Sequence, residues 1–336
     1  MQKKLIALAV AGAAAGFLSA PVFAQSQVTV YGTFDAGVRH QDNADGNGNA
    51  VTTMDSAGTY NSNRWGFKGS EDLGNGMKAN FNIEGGFMSG TGTGSISGGL
   101  FGRKQIVGLS GGWGALDLGR NYTTIFYTTG AYDPFHYKYT GIIPIAGLDG
   151  ARRNNTITYT GKIGGATLRA NYGFGEQVGD SRLNSNTEVG GSFGTGPFSF
   201  GLAYGTDRVA SNPDLDSKQW TVGGAYKANP FEVMIGYDKD TTDLVGGGDN
   251  DRKVSWLGGR YMMSGANAVS LAYYHDKRDN AGVTGTKKLW IASFVHNMSK
   301  RTELYFDIDN AKVDGSLKTG TDDTNTGISV GMNHAF

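Results

Sequence analysis

Groups able to do acid–base or nucleophilic chemistry are present in this chain but are not gathered into a recognisable set. The five histidines, His40, His136, His275, His296 and His334, are scattered. Neither His-Glu-x-x-His nor a complete Gly-x-Gly-x-x-Gly occurs. With no cysteine there is no thiol nucleophile, no thiolate metal site and no disulfide. The run Asp42-Asn43-Ala44-Asp45-Gly46-Asn47 has the flavour of a calcium loop but lacks the full ligand spacing, and reads as a solvated turn. What remains is fixed charge: 30 basic and 30 acidic residues for a net of +0. That balance gives no concentrated basic face, so no nucleic-acid partner is expected. The question becomes what scaffold would hold so many charges, and where.

The N-terminus points to the cell envelope. Lys3 and Lys4 precede an apolar run from Leu5 to Leu18, then small residues Val22 and Ala24 stand before Gln25. That order is a secretory leader, expected over residues 1–24, with the working protein at 25–336. The remainder has no apolar stretch approaching ~18 residues, so no transmembrane helix is expected. The 55 glycines are about twice the usual share, spread among 16 tyrosines and 17 phenylalanines. Glycine is a poor helix former, so the composition favours strands and turns.

Period-two alternation recurs along the chain. Val28, Val30, Phe34, Ala36 and Val38 share one parity; Thr29, Tyr31, Thr33, Asp35 and Arg39 share the other. Ala79, Phe81, Ile83 and Phe87 alternate with Lys78, Asn80, Asn82 and Glu84, and Leu168, Ala170 and Tyr172 with Thr167, Arg169 and Asn171. The last segment sets Ile328, Val330, Met332, His334 and Phe336 against Ser329 and Asn333. Each segment therefore has one apolar and one polar face. Runs of about ten residues suit a tilted membrane crossing. Tyr31, Trp65, Phe87, Trp220, Tyr237 and Tyr273 near the ends suit an interfacial girdle.

Connections alternate in length. Seven short turns (Glu71–Met77, Gly111–Ala115, Gly164–Gly165, Gly194–Pro197, Ala228–Pro230, Ser264–Ala268, Asn297–Arg301) separate eight long polar segments, at 41–60, 89–100, 121–151, 176–187, 206–217, 240–252, 277–286 and 310–325. Fifteen connections make sixteen strands, an even number that lets the first pair with the last. The expectation is an all-β, sixteen-stranded antiparallel transmembrane barrel with short periplasmic turns and long extracellular loops. Lipid offers no partner to an open sheet edge, and at this strand number the interior holds water. Parity is ambiguous at 99–110 and 252–263, where a bulge could hide.

Motifs spread over the chain support this. Val28-Thr29-Val30-Tyr31-Gly32, Arg64-Trp65-Gly66-Phe67-Lys68-Gly69-Ser70-Glu71-Asp72-Leu73-Gly74, Asp117-Leu118-Gly119-Arg120, Asp133-Pro134-Phe135, Arg152-Arg153-Asn154-Asn155 and Ser299-Lys300-Arg301-Thr302 occur in that order before a terminal Phe336. Together they resemble the trimeric general porins of Gram-negative outer membranes, most like the β-proteobacterial branch. The resemblance implies a homotrimer surrounded by outer-membrane lipid and lipopolysaccharide, with Phe336 read by the barrel-assembly machinery. It implies passive diffusion of ions and small hydrophilic solutes, and no cofactor or metal. It also implies that loop 3, the segment 121–151, folds into the pore and brings Asp133 and Asp149 against the wall. Arg64, Arg103 and one of Arg152 or Arg153 are the matching basic groups opposite, with Arg120 and Lys138 as further candidates. Acid facing base sets a transverse field across a narrow opening, and the basic surplus predicts weak anion preference. The rival readings are a solute-specific channel, for which Tyr31, Tyr274 and Tyr305 would have to form an aromatic slide, and a barrel enzyme or surface adhesin.

Overall fold

A computed structural model describes residues 27–54, 56–95, 99–138, 151–209 and 212–336. The expected leader and Asp149 lie outside the described residues. In chain order the elements are β1 (Gln27–Gln41), β2 (Val51–Thr53), β3 (Arg64–Gly74), β4 (Met77–Gly86), β5 (Lys104–Gly111), β6 (Gly114–Tyr122) and α1 (Thr124–Ala131). There follow β7 (Arg152–Ile163), β8 (Ala166–Gly173), β9 (Asn186–Thr195), β10 (Phe198–Val209), β11 (Asn212–Ala228) and β12 (Phe231–Asp243). The last are β13 (Asp249–Met262), β14 (Asn267–Asn280), β15 (Val283–Asn297), β16 (Thr302–Gly315) and β17 (Thr324–Ala335).

Sixteen of these strands form one closed antiparallel barrel; β2 is a short piece laid on the end of β1, pairing Arg39–Gln41 with Val51–Thr53. Closure runs from Thr33↔Ala335 to Gln41↔Gly327. It ends on reciprocal backbone bonds between Gly32 and Phe336, at 3.2 and 3.1 Å. The Phe336 ring lies over Gly32, where a β-carbon would collide with it, so glycine is what lets the terminal ring cover the seam.

The two faces separate as the alternation requires. Val28, Val30, Phe34, Phe200, Leu202, Ile235, Leu271 and Val330 are exposed on the outside. Asp35, Glu84, Asn171, Glu188, Asp307 and Ser329 are buried on the inside. An outside so apolar is stable only against hydrocarbon. Tyr31 departs from the girdle and turns inward, its hydroxyl 3.0 Å from both Asn82 Oδ1 and Glu84 Oε2.

Three of the expected long loops prove to be mostly strand, and a fourth is half strand. Segments 206–217, 240–252, 277–286 and 310–325 continue the ladders of β10–β17, so that β14 and β15 are joined by only Ala281 and Gly282. These segments are rich in Thr, Asp and Lys, which keep a strand solvated on both faces while the ladder satisfies its backbone groups. The register irregularities also fall elsewhere than expected, at Asp72/Gly74, Gly119/Asn121 and Arg208/Val209.

Candidate pore constriction

Loop 3 runs inward along the wall. Thr123 caps α1 by accepting from Phe126 N at 3.1 Å. The buried Glu188 of β9 accepts from the backbone N–H groups of Thr124 and Ile125, placing a carboxylate where the helix dipole is positive. The helix lies on β8–β11. Beyond it, Trp256 Nε1 donates to Tyr132 O at 2.9 Å and the Tyr274 hydroxyl to Asp133 Oδ1 at 2.6 Å. Small residues make room. A β-carbon on Gly223 would sit 2.5 Å from Tyr132 Cβ, one on Gly201 2.6 Å from the Tyr132 ring, and one on Gly258 2.6 Å from Pro134 Cγ. These three glycines form the shelf on which Tyr132–Pro134 rests. At the end of the described stretch, Lys138 Nζ meets Glu303 at 2.9 and 3.1 Å and lies 5.5 Å above the Tyr60 ring.

Asp133 is therefore an anchor. Its carboxylate is fully enclosed, taking bonds from Tyr274 and from Tyr137 N at 2.8 Å. Burial pushes its pKa up to about 6, with those two bonds holding it back. Lys138 is likewise engaged in tying loop 3 to β16. Neither charge stands free toward the opening.

The basic groups gather around Tyr122, at the foot of loop 3. The pairing shifts between Gly119 and Asn121, with the extra residue on β7 between Arg153 and Thr156, and Tyr122 at the end of β6 turns its hydroxyl to lumen-facing groups although Asp117 is of opposite parity. Its hydroxyl accepts from Arg103 Nη2 and Arg152 Nη2, both at 2.9 Å, and lies 3.4 Å from Glu84 Oε1. Arg103 Nε also pairs with Glu84 at 2.7 Å. Arg152 lies 4.4 Å above the Tyr122 ring, and Arg169 of β8 lies 4.1 Å above the Tyr127 ring while donating to Tyr122 O at 3.2 Å. Arg64 is the cross-strand partner of Gly86, over which Arg103 lies. Its own hydrogen bonds go to neutral groups, Asn61 Oδ1 at 2.7 Å and Ser62 O at 3.1 Å. Of these four guanidiniums, Arg103 is the one in a salt bridge among the described residues, with Glu84. Stacking on a tyrosine face holds a guanidinium in place without neutralising it.

Arg120 and Arg153 lie beside Arg152, on the rim side of this group. Arg120 donates to Gly102 O and Asn154 Oδ1 at 2.7 and 2.6 Å, and Arg153 is paired with Asp207. Both line, with Arg152, a rim cavity of about 630 Å³ shared with Arg208 and Glu176. Arg169 is the group that motif matching passes over; its lumen parity on β8 is the signal that could have found it. Gly190-Gly191-Ser192-Phe193-Gly194 has the spacing of a nucleophile elbow, but Ser192 sits in regular ladder positions opposite Thr167 and Gly201. It is a wall residue. Tyr31, Tyr274 and Tyr305 do not form a slide: each hydroxyl is bonded to a carboxylate, at Glu84, Asp133 and Asp35 respectively.

Comparison with known proteins decides the family. A family profile described as Gram-negative porin matches residues 7–316. The chain belongs to the Gram-negative porin family. It is 30% identical to outer membrane porin protein 32 of Delftia acidovorans, with all of both chains covered, and 26% identical to an outer membrane porin protein of Bordetella pertussis over the same extent. The solved anion-selective porin from Comamonas acidovorans superposes with a TM-score of 0.80 at 26% identity, covering 93% of this chain and 100% of that one. OmpT of Vibrio cholerae shares the fold at a TM-score of 0.72 and 15% identity, covering 96% of this chain and 100% of that one. This porin is a protein of the Gram-negative outer membrane, and its barrel is a water-filled channel for passive diffusion.

Proposed function

We propose that this porin admits small hydrophilic solutes with a preference for anions, selected where loop 3 faces Arg64, Arg103, Arg152 and Arg169. One observation carries the sign: the Tyr122 hydroxyl takes hydrogen bonds from two guanidiniums, with Arg64 and Arg169 beside them, and of the four Arg103 is the one in a salt bridge among the described residues, with Glu84. Asp133, the acid expected to oppose them, is enclosed against the far wall. In a narrow passage with low-dielectric walls, this surplus raises the local concentration of anions and lowers that of cations. A relative described as anion-selective supports the same sign. Residues 1–24 are removed on export, 25–336 form the barrel, Phe336 serves barrel assembly and three copies make the working unit. The test is the zero-current potential of the purified protein in a planar bilayer under a tenfold KCl gradient. A potential of the sign set by chloride supports the reading; one set by potassium overturns it.

A further inference from the structure

Loop 3 carries rings as well as charge. Three of them form a stacked column: the Tyr122 and Phe126 centroids lie 4.7 Å apart at 19°, and those of Phe126 and Tyr137 4.4 Å apart at 24°. The Tyr137 hydroxyl donates to Phe126 O at 2.9 Å and pins the column. Tyr127 stands edge-on to it, 5.8 Å from Tyr122 at 74° and 6.3 Å from Phe126 at 82°. Packing accounts for the column but not for Tyr127. Phe126 and Tyr137 lie against the buried cluster of Trp256, Tyr274 and Ile291 that holds the loop to the wall. Tyr127 joins no such cluster among the described residues and is 41% exposed.

Each of the two outer rings carries a guanidinium. Arg169 lies 4.1 Å from the Tyr127 centroid and Arg152 4.4 Å from that of Tyr122. Neither is in a salt bridge among the described residues. Arg152 donates to the Tyr122 hydroxyl at 2.9 Å, and Arg169 to Thr160 Oγ1 at 3.3 Å and Tyr122 O at 3.2 Å, all neutral oxygens. Rings and guanidiniums thus alternate on one surface. A bare inorganic anion has no use for the rings, because an aromatic face is negative and attracts cations, not anions. A ligand that is both ring and anion uses both parts. Its ring packs offset or edge-on against Tyr127, and its carboxylate takes paired hydrogen bonds from a guanidinium held flat by stacking. Aromatic lining with a few placed polar groups is the usual make-up of a small-molecule site.

We propose that the constriction holds a binding site for monocyclic aromatic carboxylates, with Tyr127 as the stacking platform and Arg152 and Arg169 as the carboxylate partners. The site rests on the reading that ions pass between loop 3 and the arginine wall. It adds a class of solute that is retained in transit, where an aliphatic anion of equal charge is held more weakly.

The test is block of the chloride current through the full-length protein in a planar bilayer at neutral pH. Benzoate is compared with cyclohexanecarboxylate, which has the same charge and nearly the same size but no aromatic face. Benzoate should block at about one-fifth of the concentration, the equivalent of about 1 kcal/mol for one aromatic contact. Benzylammonium, with the ring but the opposite charge, should not block in the same range. The ratio of the two carboxylates is read within each variant, so a changed conductance does not obscure it. Tyr127→Phe should keep the parent's ratio and Tyr127→Leu should bring it to about one. Equal block by the two carboxylates in the parent would overturn the proposal, as would benzylammonium blocking as well as benzoate, or Tyr127→Leu keeping the parent's ratio. The zero-current potential in a KCl gradient separates this site from the reading beneath it. A chloride sign with no preference for benzoate removes the site alone; a potassium sign removes the anion reading on which it stands.

Discussion

Replacing Arg152 by glutamine removes one guanidinium from the Tyr122 cluster and leaves the enclosed Arg103–Glu84 pair intact. Arg103 is the poorer choice, because its loss would strand the Glu84 carboxylate without its cation. An ion whose centre passes about 5 Å from the guanidinium feels ~0.8 kcal/mol at the dielectric constant of water. A Debye length of about 10 Å at 0.1 M salt reduces that to roughly 0.5 kcal/mol. The anion loses this stabilisation and the cation is relieved of the same repulsion, so their difference shifts by about 1 kcal/mol, or about fivefold in permeability ratio. In 1 M salt the Debye length of about 3 Å leaves about 0.3 kcal/mol and a shift of under twofold. Zero-current potentials of parent and variant at both salt concentrations measure this directly. A ratio unchanged at 0.1 M, in a variant of normal conductance, would mean that ions do not pass beside Arg152, and the assignment of the constriction would fail.

Three further outcomes follow from the way loop 3 and the rim are held. Asp133 has a pKa raised from 3.8 to about 6; enclosing its anion costs about 3 kcal/mol above that pH, and the cost is relieved as pH falls from about 6 toward 4. Amide hydrogen exchange over residues 124–138 should therefore show firmer docking at pH 5 than at pH 7.5, with the dependence lost in Asp133→Asn; weaker docking on acidification would contradict the sign. Gly223→Val drives a side chain into Tyr132, which should destabilise the docked loop by about 1–3 kcal/mol and appear as noisy or altered single-channel current; an unaltered current would show that the loop is not held at this shelf. Ala281 adopts φ 53° in the two-residue turn between β14 and β15, so Ala281→Gly should stabilise the barrel by up to about 1 kcal/mol in thermal unfolding, where destabilisation would refute the strain argument.

Most of the barrel was legible because its signal is repeated. Alternation from Val28 to Val38 and from Ile328 to Phe336 fixes which face is apolar, and the alternation of turn lengths fixes the strand number. The hairpin extensions above the membrane were not legible, since Thr, Asp and Lys segments serve equally as loop or as strand solvated on both faces. Around Tyr122, Arg64, Arg103 and one of Arg152 or Arg153 could be nominated by motif, and Arg169 by parity. Tyr122 could not, because the pairing of β6 with β7 shifts between Gly119 and Asn121 and the strand alternation does not carry through to it. Asp133 was visible as a charge on an inward loop, but its role depends on Tyr274, 141 positions away.

A cysteine-free chain allows the central claim, that loop 3 and the arginine wall bound the narrowest passage, to be tested at one atom. Tyr127, on α1 beneath Arg169, is 41% exposed. Tyr127→Cys, recorded in a bilayer, should lose current stepwise on reaction with a small thiosulfonate reagent, and a sulfonate-bearing reagent should react several-fold faster than a trimethylammonium one of similar size. Complete labelling without any change in current would show that the conducting path is bounded elsewhere.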